Sequence, residues 1–148
     1  MASNGFAVIV DNSIITVGYF SNVAVVVVLD AYAAGGTVPV STAFTGIKMK
    51  ARNTEFTGAT LNGGQYLGCR FEPNVTINSG SYLFAGCPQF ETDFTISTGH
   101  TVYMQNCNFT DSVTITVDAG GTLNTEACGG ASNFTKAGAG THNTSAGF

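Results

Sequence analysis

Apolar and polar residues alternate along much of this chain, and glycine cuts the alternation into short pieces. In Val75-Thr-Ile77 and Val113-Thr-Ile115, apolar side chains flank a threonine. That period of two marks a strand with one buried face. A glycine follows, where a residue without Cβ turns a corner at positive φ. Helical periodicity is missing, so the expected class is all-β.

Between Ala59 and Phe134 the piece recurs four times. The copies begin Ala59-Thr-Leu61, Val75-Thr-Ile77, Phe94-Thr-Ile96 and Val113-Thr-Ile115. Aligned as text, they give columns of Thr (Thr60, Thr76, Thr95, Thr114) and Gly (Gly64, Gly80, Gly99, Gly120). Each copy then runs on to Cys (Cys69, Cys87, Cys107, Cys128) and Phe (Phe71, Phe90, Phe109 and, more loosely, Phe134). A repeat of about 16 to 21 residues is the size of one turn of a parallel β-solenoid. Strands lie about 4.8 Å apart, so like residues stack into ladders. The expected fold is a single-stranded parallel β-helix of about four to five rungs with a short N-terminal β cap. Its core ladders would be Ile77, Ile96 and Ile115; Leu83, Val102 and Leu123; the four Cys; and Phe71, Phe90 and Phe109.

Residues 1–40 lack the repeat. Phe6–Val10, Ile14–Val17 and Val23–Leu29 read as strands, and Leu29–Ala34 as a possible helical turn ended by Gly35-Gly36. The continuous apolar run Val25–Val28 implies a strand covered on both faces. This segment is expected to be a cap and oligomerisation element, with the β-helix over 41–135. Phe44, Ile47, Met49 and Phe56 read as a leading rung, with Ala51 near the place where later copies carry Cys. The Gly-Ala-Ser-Thr-rich tail, 136–148, is expected to be held against a partner subunit. The candidate interface residues are Phe6, Val8, Val10, Tyr19, Phe20 and Phe148.

Composition narrows the function. Only 9% of the 148 residues are charged, the net charge is −4, and Lys and Arg total five. A nucleic-acid groove needs many phosphate contacts, so that partner is not expected. With 44% apolar residues, 11 of them Phe, the chain can build a core, and its polar surface must come from Thr, Ser and Asn. Met1-Ala-Ser-Asn-Gly5 lacks the basic and apolar regions of a secretory signal. The run Val23–Ala34, broken by Asp30, is too short to span a bilayer core of about 30 Å, so no membrane partner is expected.

Candidate chemistry is sparse. The Cys lack the close pairing of zinc ligands, and side chains stacked on parallel strands bridge poorly, so they read as small core thiols. Glu72, Glu91 and Asp111 follow the Phe column, with Asp93 nearby, and would line one edge. Paired carboxylates about 5 to 9.5 Å apart serve glycoside hydrolysis, but acids also suit a solvated corner. A Ca²⁺ held by these acids would lack an EF-type loop. His100 and His142 have no acid or Cys at ligand spacing, and Gly63-Gly64 and Gly120-Gly121 lack the Lys-Ser/Thr of a phosphate loop. No catalytic residue, cofactor or metal site is therefore expected. The Thr column suggests the flat Thr arrays of ice-binding solenoids, but only the fourth copy has Thr-x-Thr (Thr114, Thr116).

The rungs over 44–134 and their low-charge Thr/Asn/Gly surface resemble the short β-helical modules of tailed-bacteriophage structural proteins. These include capsid cement or decoration proteins and tail-spike-like fibres. The resemblance implies a non-enzymatic virion protein that works as a homo-oligomer, usually a trimer, against partners such as the major capsid protein. Three alternatives share the architecture. They are a receptor-binding adhesin using its Thr/Asn faces on glycans, a bactofilin-like cytoskeletal polymer, and a polysaccharide-cleaving spike using the acidic edge.

Overall fold

The computed structural model of the chain describes residues 7–11, 14–17, 25–29, 32–36, 49–78 and 80–145, with side chains from residue 51 onward. Four strands come first: β1 (Ala7–Asp11), β2 (Ile14–Val17), β3 (Val25–Leu29) and β4 (Tyr32–Gly36). The next turn holds β5 (Met49–Arg52), β6 (Glu55–Thr57) and β7 (Thr60–Leu61), and the one after it β8 (Gly64–Leu67), β9 (Arg70–Phe71) and β10 (Thr76–Ile77). Then follow β11 (Tyr82–Ala85), β12 (Gln89–Phe90), β13 (Phe94–Ile96), β14 (Thr101–Gln105) and β15 (Val113–Val117). β16 (Thr122–Glu126), a short 3₁₀ turn at Ala131–Asn133, β17 (Phe134–Ala137) and β18 (Thr141–Ser145) complete the described residues.

These strands form three parallel sheets wound as a β-solenoid of about five turns. Sheet A runs β1-β3-β5-β8-β11-β14-β16-β18, sheet B β12-β9-β6-β4-β2, and sheet C β17-β15-β13-β10-β7. The described strands of residues 1–40 pair into the same sheets: β1 pairs with β3, β3 with β5, and β4 with β6. The helical turn expected over Leu29–Ala34 is replaced by β4, which contains Gly35 and Gly36. Within the tail expected against a partner, residues 136–145 contribute to β17 and β18, which pair with β15 and β16 of this chain. Backbone pairing needs no side-chain motif, so a stretch without the repeat extends the ladder as well as one that has it.

Three ladders fill the interior. Gly64, Tyr82, Val102 and Leu123 stand in register on sheet A, followed along the strand by Tyr66, Phe84, Met104 and Thr125. Phe56, Phe71, Phe90 and Phe109 stack on sheet B. Phe84 sits at the aromatic centre, with ring centroids 5.1 to 5.4 Å from those of Tyr66, Phe71, Tyr82 and Phe90. Stacked and edge-on pairs of this kind each contribute about 0.5 to 1.5 kcal/mol beyond their burial.

The text alignment fails in four places. Leu83, expected inward, lies on the outer face, because Tyr82 and not Leu83 pairs with Val102. Ile77, Ile96 and Ile115 are all buried but form no single column: Ile77 pairs with Phe94, Phe94 with Ile115, and Ile96 with Val117. The corner between Phe90 and Phe94 is shorter than those from Phe71 to Ile77 and from Phe109 to Ile115, which slides that copy's motif along the sheet. Buried Thr92 fills the shortened corner, its Oγ1 donating to the Val75 carbonyl at 2.5 Å. Phe134 pairs with Val113 on sheet C and stacks on Phe109 from there, instead of continuing the Phe column. Its place is taken by Gly130 (φ 74), where a Cβ would lie 2.1 Å from the Phe109 carbonyl oxygen. Finally, Ala51 pairs with Tyr66, and Thr54 takes the Cys-column position.

One column carries the turn out of sheet A. Asn53, Gly68, Gly86, Asn106 and Ala127 all have positive φ, at 48°, 64°, 61°, 51° and 49°. Each amide from Asn53 to Ala127 donates to the carbonyl that ends the sheet A strand of the following turn. Each member immediately precedes Thr54 or a Cys, so the corner aims the next side chain inward.

Candidate functional site

Directly after this corner lies the Cys column. Cys69, Cys87, Cys107 and Cys128 are all buried and all free thiols. Each Sγ lies within donating distance of the carbonyl two residues back, Leu67, Ala85, Gln105 and Glu126 respectively, at 3.5 to 3.7 Å, and Cys87, Cys107 and Cys128 lie closer still to the Tyr66, Phe84 and Met104 carbonyls one turn earlier, at 3.4 to 3.6 Å. Thr54 does the same with Oγ1 to the Arg52 carbonyl at 2.9 Å. The column thus holds a small side chain whose donor reaches a backbone carbonyl of its own corner or of the turn before. Burial pushes the Cys69 thiol up to about 12. A hydrogen bond with Cys107, together with burial, pushes Cys128 up as well. Such groups stay protonated, which is the state of inert core thiols rather than nucleophiles or metal ligands.

The acidic edge forms where sheet B turns into sheet C. Glu91, Asp93 and Asp111 line a groove of about 360 Å³ with Pro73, Thr92 and Ser112. Their oxygens are engaged by near neighbours. Asp93 Oδ1 accepts the Thr114 amide at 2.6 Å, and Asp111 Oδ1 the Ser112 amide at 2.7 Å. Glu91 accepts the Thr110 hydroxyl at 2.7 Å, and Glu72, farther along, accepts the Gln89 amide at 3.2 Å. Asp93 stands between Thr76 and Thr114 in the outer Thr column. Thr95, which text alignment puts there, pairs instead with Thr116. Asp93 and Asp111 hold the corner backbone by accepting main-chain amides, Asp93 from the next turn and Asp111 from the next residue. Among the described residues, no three His, Cys, Asp or Glu side chains converge as a metal would need.

The last rung changes chemistry. Lys136 stands in register with Ile115, His142 with Leu123, and Thr144 with Thr125. Three positions that are buried in the preceding rung are thus polar in the last. Lys136 Nζ donates to the Gly138 carbonyl at 2.5 Å, and His142 Nε2 lies 2.9 Å from the buried Thr125 Oγ1. His100, by contrast, lies in the corner before β14. Its amide donates to the Ser97 carbonyl at 3.1 Å.

Of the interface residues expected from sequence, Phe6, Tyr19, Phe20 and Phe148 lie outside the described residues. Val8 and Val10 fall on β1, where side chains are not described. Text alignment does not reveal a different surface, the outer face of sheet A. Gln65, Leu83, Tyr103, Asn124 and Asn143 form one column there, and Arg52, Leu67, Ala85, Gln105, Glu126 and Ser145 a second. Tyr103, half exposed, is the exposed large hydrophobic side chain among the described residues. The signal is visible in sequence only as a second set of apolar residues, offset by one from the buried set.

Compared with protein-family models, with curated proteins and with solved structures, the chain matches none.

Proposed function

We propose that this chain is a non-enzymatic structural protein of a virion, of the capsid cement or decoration kind. It works as a homo-oligomer held against the shell protein. The observation that carries this reading is the polar last rung. Lys136, His142 and Thr144 take the register positions of Ile115, Leu123 and Thr125, so the rung formed by β17 and β18 is polar where the rung before it is packed. Uncapped solenoid ends stack, and a capped end favours a discrete rod over a bactofilin-like filament.

Two further features suit a cement. The described interior is packed with side-chain ladders, which makes the rod stiff. The outer faces are mostly neutral Thr, Asn and Gln, which can be covered by another protein without desolvating many charges. Amide ladders such as Asn62 with Asn78 and Asn124 with Asn143 hold these surfaces in a fixed shape. The rod would bridge neighbouring shell subunits by lateral contact, adding stability without chemistry.

The test is made on virions purified from a culture that expresses the gene, separated into heads and tails and read by peptide mass spectrometry. The expected result is the protein in the head fraction, with deletion of the gene lowering the temperature at which heads release DNA. Absence from the particle overturns the proposal. Recovery in tails alone replaces cementing with receptor binding.

A further inference from the structure

We propose that the outer face of β14, β16 and β18 carries a binding site for a neutral saccharide, with one pyranose ring seated on Tyr103. The site stands apart from the virion reading above and needs only these three strands.

Tyr103 sits where the solenoid has no packing use for a large ring. Tyr66 and Tyr82 on the same sheet are buried, whereas Tyr103 is 50% exposed. Beside it a groove of about 260 Å³ crosses β14, β16 and β18. Its two sides are register columns: Tyr103, Asn124 and Asn143 form one, and Gln105, Glu126 and Ser145 the other. Residues two apart on a strand are separated by about 6.6 Å, so the columns leave a trough about one sugar ring wide. Its volume falls below the lower limit of about 300 Å³ for drug-sized ligands, which suits one small ring rather than a long chain.

The polar groups beside the ring are held in pairs. Asn143 Nδ2 donates to Asn124 Oδ1 at 3.0 Å, and Gln105 Nε2 donates to Glu126 Oε2 at 3.0 Å. Each contact uses one N–H and one oxygen, and three amides with a carboxylate together hold more of both. That set matches a pyranose. One face of a pyranose is a patch of C–H bonds that packs on an aromatic ring, and its rim carries hydroxyls that both donate and accept.

Charge and pairing rule out the other ligand classes. β14, β16 and β18 contain no Lys or Arg, and Glu126 borders the trough. Lys50 and Arg52 lie on β5, three strands before β14, about 14 Å away and beyond the screening length of about 8 Å. A phosphate, sulfate or uronate would therefore meet a carboxylate with no cation beside it. A peptide strand adds to a sheet edge, and β14 and β16 are already paired on both sides. One tyrosine ring is too small an apolar patch to hold a protein partner. A single sugar ring in an open trough should bind with a Kd of roughly 1 mM. Repeated over many copies, such a site gains by avidity what it lacks singly.

The experiment is saturation-transfer NMR on the full chain. The probes are methyl glycosides of glucose, galactose, mannose and N-acetylglucosamine, with glucuronate as the acidic comparator, each at about 10 mM. Ring protons of at least one neutral glycoside should saturate, and those of glucuronate should not. Tyr103→Ala should weaken that binding about ten-fold and Tyr103→Phe less than about three-fold. Both variants should keep the wild-type circular dichroism, because the side chain lies outside the core. No saturation of any neutral glycoside overturns the site. Binding undiminished in Tyr103→Ala overturns its location, since the sugar would then sit elsewhere on the chain. Glucuronate bound as well as the neutral sugars overturns the selection by charge.

Discussion

Leu123 and His142 stand opposite each other in register on the last two strands of sheet A, so an imidazole occupies the position that a buried hydrocarbon holds one rung earlier. The ring is edge-on to Phe134, with centroids 5.6 Å apart, and Thr125 Oγ1 approaches its Nε2. It roofs the aromatic stack with a group that is apolar on its face and polar at its rim. Partial burial, and then the nearby Lys136, hold its pKa below the ordinary value.

That depression has a defined sign. The folded state binds the imidazole proton less readily than the unfolded state, so in the affected window the unfolded chain carries more protons and stability rises with pH. The contribution is complete above the ordinary histidine value of about 6.5 and is lost as pH falls from there toward the lower folded value. Thermal melts at pH 7.5 and 5.5 should show a larger fall in Tm for wild type than for His142→Gln. Equal falls would mean the ring is not held neutral by its surroundings.

The cap can also be removed by design. Lys136→Ile with His142→Leu restores the residue class found at Ile115 and Leu123 and leaves an apolar end. Open solenoid ends pair with one another. The double variant should form elongated particles whose light-scattering mass climbs with concentration, while the wild-type mass stays fixed. A double variant with the wild-type mass would show that these polar residues do not limit growth.

The solenoid was legible because Val-Thr-Ile, a corner glycine and an inward Cys and Phe recur, and these identify a strand, a turn and a second strand. Register was less legible. The motif text repeats at Ile77 and Ile96, yet the shorter corner before Phe94 moves the second copy along the sheet, and text carries no measure of corner length. The same effect put Leu83 with Val102, where the backbone pairs Tyr82. The left-handed column was hidden because Asn, Gly and Ala share it, although its members always stand directly before Thr54 or a Cys. The first strands read as strands from their β-branched runs, but neither they nor the last strands carry the repeat, and only backbone pairing shows that they join the same sheets.

Ala127 is the strained member of that column. At φ 49° a Cβ is crowded by the backbone, where glycine is free and asparagine is tolerated. Ala127→Gly should therefore raise stability by about 1 kcal/mol despite the greater freedom it gives the unfolded chain. Gly86→Ala, at φ 61° with open space around it, should lower stability by a similar amount. Urea unfolding of both variants measures this. A stabilised Gly86→Ala would show that the corner is not left-handed.

The four thiols should be silent until the fold opens. Their exposures are 0 to 2%, and each is tied to a backbone carbonyl. Ellman's reagent at pH 8 should therefore find none in the native protein and all four in 6 M guanidinium chloride. A fast-reacting native thiol would place that Cys outside the column.

Adjacent residues on β11 give the sharpest check on register. Phe84 is fully buried and touches four rings within 5.4 Å, whereas Leu83 is half-buried on the outer face. Truncating a core aromatic removes its transfer energy and leaves a cavity that stacked neighbours on hydrogen-bonded strands cannot collapse into. Phe84→Ala should cost about 3 to 5 kcal/mol. Leu83→Ala leaves the core intact and, below the association concentration, should cost less than about 1 kcal/mol. Urea unfolding of the two variants at high dilution separates the folding term from any loss of self-association, which would lower the Leu83→Ala midpoint only as concentration rises. If Leu83→Ala proved as costly as Phe84→Ala at every concentration, Leu83 would have to face the core. The pairing of Tyr82 with Val102 would then be wrong by one residue, because a one-residue slip exchanges every side chain of the strand between its two faces.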